Sequence, residues 1–332
     1  MLVFAPFTLL PWPVFCWVLA LAIGLSVPLI AWLCLRYFEP EPSTASLLVG
    51  TLLVLLVPAA WQNFALGQVG LFEILFMLLT DWALRSKRYG WAVLFGFFAL
   101  LKPTCFIPLL FVLFVREDWR GRAALLGAAG VNLGVNLLGA LMIGPKLFFD
   151  SYQTNSRQMA LPNAPLDPMS GYRIDMNVLS ASFLHGAALT AAGLLLTALL
   201  CGGYYRIEKR SSRVGLPNIA ALSLLALLLV YHQAYDAVLL APAMLYGYQL
   251  FRTGRLRPTE WVYIGLLALC VLAFGNHNVV DLLLKPLHHV QPVYFRPLVL
   301  LAAYSVLLWQ MDQTQRGNAG DSGDQTASIS AA

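Results

Sequence analysis

A chain of 332 residues that is 59% hydrophobic and only 11% charged, with a mean hydropathy of +0.72, is too apolar for an ordinary water-soluble domain. Its net charge of +5 comes from basic residues in short loops beside apolar segments, a pattern of membrane topology that makes no case for nucleic acid. We therefore expect one all-α, polytopic integral membrane domain over residues 1–311 and a small, polar, disordered cytoplasmic tail over 312–332.

The opening segment, MLVFAPFTLLPWPVF, has no basic n-region and no small-residue cleavage site, so it does not read as a secretory signal. A first apolar helix is predicted at roughly 13–35, ending at Arg36. The next apolar stretch, 45–83, is interrupted by NFALGQ (Asn63 to Gln68) and carries Glu73 before the basic cluster Arg85, Lys87 and Arg88. The stretch 90–115 is interrupted by Leu101, Lys102 and Pro103 and ends at Arg116, Arg120 and Arg122. A helix near 123–143, a polar loop over 144–177 and a helix near 178–204 lead to Arg206, Lys209, Arg210 and Arg213. The stretch 217–250 is interrupted by YHQAYD (Tyr231 to Asp236) and ends at Arg252, Arg255 and Arg257. Two further helices, near 259–275 and 296–311, flank the segment 276–295. Cys16, Cys34, Cys105, Cys201 and Cys270 have no paired spacing and sit in or beside apolar segments, which fits buried small hydrophobes better than metal ligands or disulfides.

Placing the four basic clusters and Arg36 in the cytoplasm satisfies the positive-inside rule and fixes the topology. Three hairpins then point their polar interruptions away from the cytoplasm, while Lys285 and Arg296 on that outer side are exceptions to the rule. The arms of the second and third hairpins have about 13–15 residues, roughly 20 Å against a hydrocarbon core of about 30 Å. Their tips should therefore lie within the outer half of the bilayer, where broken backbone is tolerated only around a protein-lined cavity. The same scheme starts residues 1–12 on the outer side.

Ionisable groups inside a membrane are costly unless paired or facing a polar space, which makes the three tips the candidate site. At LKP, Pro103 disfavours helical geometry at Lys102 and frees backbone groups beside an ammonium, a seat for a phosphate or else an ordinary turn with a snorkelling lysine. In YHQAYD, His232 and Asp236 stand four apart, so on a helix they share a face, either to serve an acceptor hydroxyl or to hold two helices together. In NFALGQ, Asn63 and Gln68 offer neutral hydrogen bonding around Gly67, and a tight turn explains them equally well. Glu73 is a candidate ion-pair partner for Lys102. The outer loop adds Asp150, Tyr152, Asn155, Arg157, Arg173 and Asp175, polar groups suited to a head group or sugar, and 276–295 adds Lys285, His288 and His289. No metal site and no cofactor are expected.

The segments QNFALGQVGLFEILFMLLT, RYGWAVLFGFFALLKPTCFIPLLFVLFVREDWRG and YHQAYDAVLLAPA together resemble glycosyltransferase family 87. These are multispanning GT-C enzymes that include polyprenol-phosphate-mannose-dependent α-1,2-mannosyltransferases. The resemblance extends over nearly all of 1–311. It rests on the order and spacing of Gly67–Gln68, Lys102–Pro103 and Tyr235–Asp236. Two departures stand out. Family members often carry an asparagine where this chain has Gly70. Members also have an earlier helix and an outer loop bearing the acidic catalytic base, so the resemblance implies that one helix and one loop are missing ahead of Met1.

The resemblance implies transfer of a hexose, expected to be mannose, from a polyprenyl-phosphate carrier to a lipid or glycan acceptor on the non-cytoplasmic face of a bacterial inner membrane. Lys102 and His232 are the candidates for the phosphate, with Gln68, Tyr235, Asp236 and Arg173 for sugar or acceptor. With the expected base lying upstream, Asp150, Asp175 and Asp236 are the carboxylates left to replace it, and this chain is expected to be inactive or nearly so. Two other classes fit the composition: a transporter or lipid flippase with a midplane site, for which no internal repeat is visible, and a catalytically dead membrane scaffold.

Overall fold

A computed structural model of the chain describes residues 10–66, 68–101, 103–159, 186–210, 215–229, 234–254, 256–275, 285 and 292–329. Among these the fold is all-helical. Five helices are long and apolar enough to cross a membrane: α1 (Trp12–Leu35), α7 (Trp119–Ile143), α9 (Gly186–Glu208), α12 (Pro258–Gly275) and α13 (Pro292–Ile329). The expected boundary after residue 311 falls inside α13. Three apolar helices are too short to cross: α5 (Tyr89–Ala99), α6 (Pro103–Arg116) and α10 (Leu216–Leu229). These are the short arms read from the sequence, at about 16–21 Å each.

The chain folds around α10, which is apolar on every side and buried from Asn218 to Leu228. A helix without a polar face belongs in a core. Packed on it are α6, α9, α11 (Ala241–Arg252) and α13, together with a 3-10 helix over Ala234–Leu240. In α1, Ile23, Val27, Ile30, Ala31 and Cys34 recur at three- and four-residue spacing and form the buried face that meets α2 (Thr44–Leu56) and α4 (Gly70–Arg85). At the rim, α7 and α9 are exposed along most of their length. Close approach in this outer layer rests on Gly96 of α5: a Cβ there would come within 2.9 Å of Ala128 Cβ on α7 and 3.8 Å of Thr80 on α4.

The structure adds breaks that the sequence analysis does not foresee. The apolar stretch 45–83 is interrupted first at Val57, which is extended (ψ 114°) ahead of Pro58, so α2 and α3 (Pro58–Leu66) meet at a bend of 74°. Proline disfavours helix at the preceding residue and removes a backbone donor, which accounts for the bend. The outer loop is also partly helical, since α8 runs over Pro145–Met159.

Charge organises one end of the bundle. Asp81 near the end of α4, its side chain 1% exposed, accepts Arg116 Nη2 at 2.7 Å and Arg85 Nε at 2.7 Å. The Tyr37 hydroxyl donates to the same carboxylate at 2.5 Å. Arg116 also reaches Glu117 at 3.3 Å and Glu208, at the end of α9, at 3.5 Å. Glu208 in turn accepts the Tyr204 hydroxyl at 2.9 Å and the Asn218 amide. Nearby, Arg252 donates to Ser46 at 3.0 Å and pairs with Glu39, and Arg210 pairs with Asp312 at 3.3 Å. Two loop carboxylates are held below their ordinary range by backbone N–H donors, Glu39 by Ser43 and Asp118 by Gly121. Asp118 thereby caps α7, accepting the Gly121 N–H at 2.8 Å.

All four basic clusters contribute to this end, or adjoin a residue that does. Removing one partner from a buried pair such as Asp81–Arg116 leaves an uncompensated charge and costs about 3–5 kcal/mol. The outer layer is tested at Gly96. Gly96→Val should overpack the α5–α7 contact and destabilise the protein by about 1–3 kcal/mol. Gly134→Ala on α7, with nothing within 4 Å, should leave stability unchanged or slightly raised. Thermal unfolding of the two variants in detergent measures the difference.

Candidate functional site

Two of the helices that end in the charged cluster, α4 and α6, begin at polar interruptions. Gly70 starts α4 and Arg85 ends it, while Pro103 starts α6 and Arg116 ends it. The first two interruptions therefore lie at the end of the bundle away from the basic residues.

The first and third interruptions meet there. α3 and the start of α4 pack against the 3-10 helix that carries Asp236, and α3 also packs against α12. The approach is close at Gly70. A Cβ on that residue would lie 2.9 Å from Asn63 Oδ1, 3.5 Å from Asn63 Nδ2 and 3.1 Å from Val238 of the 3-10 helix. Asn63 is fully buried on α3, where its amide donates to the Ala59 carbonyl at 2.8 Å. It is thus a helical residue, whose side chain bonds within α3. The Asn63 amide fills the space that a side chain at position 70 would need.

Asp236 is 2% exposed and lies in the first turn of the 3-10 helix. Glu73, 4% exposed, stands one turn inside α4. Gln68 is half-buried, and its backbone N–H donates to the Asn63 carbonyl at 3.0 Å, closing the turn between α3 and α4. Two buried carboxylates and a buried amide therefore come from the segments joined at this end. Asp150 is exposed on α8, and Lys285 is exposed in a turn. Lys102, His232, Arg173, Asp175, Asn155, Arg157, His288 and His289 lie outside the described residues or side chains, as do the side chains of Tyr235 and Tyr152. The expected Glu73–Lys102 pair falls outside them too. The second interruption is bounded by Leu101 and Pro103, and the Leu100 carbonyl just before it accepts the Asn132 amide of α7 at 3.2 Å.

Arg296, by its sequence an exception to the charge rule, is 4% exposed and donates Nε to the Ala273 carbonyl at 2.9 Å. Ala273 is near the end of α12, where Gly275 approaches Pro58 of α3 so closely that a Cβ would lie 2.7 Å from the proline ring. The signal for it was a basic residue directly before a proline at the start of an apolar stretch, the pattern already noted at Lys102–Pro103.

These features define a polytopic membrane protein whose interrupted helices gather buried polar groups at the end opposite its basic loops. A model of glycosyltransferase family 87 matches residues 1–232, and the chain belongs to that family; it is a membrane glycosyltransferase, acting on a sugar donor and an acceptor. The matched stretch ends within YHQAYD, short of the residue 311 to which the resemblance extends. Neither a curated protein nor a solved structure matches the chain.

The Asn63–Gly70 contact can be tested by exchange. Gly70→Asn alone should destabilise the protein by about 1–3 kcal/mol by forcing α4 away from α3 and the 3-10 helix. Asn63→Ala combined with Gly70→Asn, which moves the amide across the contact, should recover most of that loss. Equal melting temperatures for the single and double variants would contradict the assignment.

Proposed function

We propose that this glycosyltransferase moves a hexose, most plainly mannose, from a polyprenyl-phosphate carrier to a lipid or glycan acceptor on the non-cytoplasmic face of the membrane. The observation that carries the proposal is the packing of the first and third interruptions, with buried Asp236, Glu73 and Asn63, at the end away from the basic loops. A membrane-embedded donor brings its phosphate to the membrane surface, and polar groups beneath that surface can meet it without drawing the lipid tail into water.

The reaction needs three things from the protein. The acceptor hydroxyl attacks the anomeric carbon while the bond from that carbon to the phosphate oxygen breaks, and a base removes the hydroxyl proton. Negative charge gathers on the departing polyprenyl phosphate, where a fixed cation in a dry site lowers the barrier. Lys102 is assigned to that phosphate, with His232 as the second candidate. Asp236, Tyr235, Gln68 and Arg173 are assigned to the sugar and the acceptor. Of the two described candidates, Asp236 is buried beside the packed interruptions and Asp150 is exposed, which favours Asp236 as a proton acceptor.

Lys102→Met keeps most of the side-chain volume and removes the charge. The variant should reach its usual membrane yield and bind labelled polyprenyl-phosphate-mannose at least about tenfold more weakly, equal to about 1.4 kcal/mol. Unchanged donor affinity would eliminate the phosphate role. Glu73→Gln separates the two readings of the lysine: yield falls for both variants if the residues form a structural pair, and stays intact for both if Lys102 serves the donor.

A further inference from the structure

The α5–α6 hairpin poses a mechanical question. α6 has 14 residues, or about 21 Å, well short of the roughly 30 Å hydrocarbon core. A short apolar helix with a lysine at its broken end is pulled toward the nearest water. Its buried face, Phe106, Leu109, Val112 and Leu113, is apolar, and inside a bilayer such a face contributes van der Waals packing without a hydrophobic driving force between helices.

The directional restraint is at the other end. Arg116 is the last residue of α6, and its side chain is only 14% exposed. Its Nη2 is held by Asp81 of α4 at 2.7 Å, and its Nη1 faces Glu208 of α9 at 3.5 Å. Asp81 is itself fixed by Arg85 and Tyr37, and Glu208 by Tyr204 and Asn218. Sliding α6 toward its broken end by a single turn, about 5.4 Å, would draw Arg116 away from Asp81 of α4 and Glu208 of α9 and leave two buried carboxylates without that cation.

We infer that Arg116 is a positioning residue: its pairs with Asp81 and Glu208 hold α6 at a fixed depth, and so set where the Lys102–Pro103 break stands relative to the interruptions carried by α3, α4 and the 3-10 helix. The inference gives a charge cluster at one membrane end a role in the site at the other. It rests on the proposed phosphate role of Lys102 for its link to substrate, though the mechanical part stands apart from that role.

The depth of α6 can be read without activity. Cys105 lies two residues after Pro103, and replacing Cys16, Cys34, Cys201 and Cys270 by alanine leaves it as the only thiol. In sealed vesicles exposing the face that bears the breaks, a membrane-impermeant maleimide should label Cys105 at least about fivefold faster in Arg116→Met than in the parent. Labelled polyprenyl-phosphate-mannose should bind that variant at least about fivefold more weakly, and Arg116→Lys should restore much of both properties, which general loosening of the fold would not allow. If Arg116→Met does not fold, Glu208→Gln keeps the Asp81 pair and removes the charge of the second anchor. It should raise labelling about twofold in protein that remains monodisperse. Parental labelling rates in folded Arg116→Met, or in Glu208→Gln where the first variant is lost, overturn the inference. Faster labelling with unchanged donor affinity upholds the positioning role and removes the phosphate role of Lys102 instead.

Discussion

A carboxylate buried among helices has to be satisfied, and Asp81 is satisfied by three donors from three different parts of the chain. Tyr37 follows α1, Arg85 is one turn further along α4, and Arg116 ends α6. Through Arg116 the same network reaches Glu208 on α9 and Asn218 on α10. Five helices are thereby brought into register at one end. Leaving any of these charges unmatched in low dielectric is costly, so the network penalises a shift of one helix end against another.

Once those ends are fixed, the lengths of the helices decide where the other ends fall. Helices of 11, 14 and 14 residues (α5, α6 and α10) cannot reach across a bilayer, so their far ends stop inside it. Backbone at such depth is tolerated where protein surrounds it; α10 meets the 3-10 helix with Asp236, which in turn packs on α3 and α4, while α5 and α6 pack on α4 and α7. Glycine at 70 and at 275 lets these pieces close on one another. The buried polar groups Asn63, Glu73 and Asp236 thus lie at the end of the bundle opposite the ion pairs of Asp81, Arg116 and Glu208.

Much of this was legible in the sequence, for physical reasons that differ from residue to residue. Short apolar arms and basic clusters are local properties, so the short helices α5, α6 and α10 and the gathering of Arg36, Arg85, Arg116, Arg210 and Arg252 follow from counting residues and charges. The interruptions at Gly67–Gln68 and Lys102–Pro103 announce themselves as polar or proline-bearing breaks in apolar runs. What was not legible depends on distance. Arg116 meets partners 35 and 92 positions away, and Asp81 beside Arg85 looks like any helix end. The bend at Pro58 was hidden because the apolar run continues straight through it, and the helix over Pro145–Met159 was hidden because its composition is that of a polar loop. Asn63 reads as a turn residue until α3 is seen to carry it. Arg296 reads as a loop charge until its burial against the end of α12 is seen.

The central claim is that the polar interruptions form the donor site, at the end of the bundle away from the basic loops. Photoaffinity labelling tests it most directly, using a polyprenyl-phosphate-mannose with a diazirine beside the phosphate, the purified chain in lipid nanodiscs, and peptide mapping of the adducts. The account predicts adducts concentrated within 63–73, 99–106 and 230–240, competed away by unlabelled donor. Competable adducts concentrated instead in the basic-end loops, 36–43 and 117–122, would contradict it.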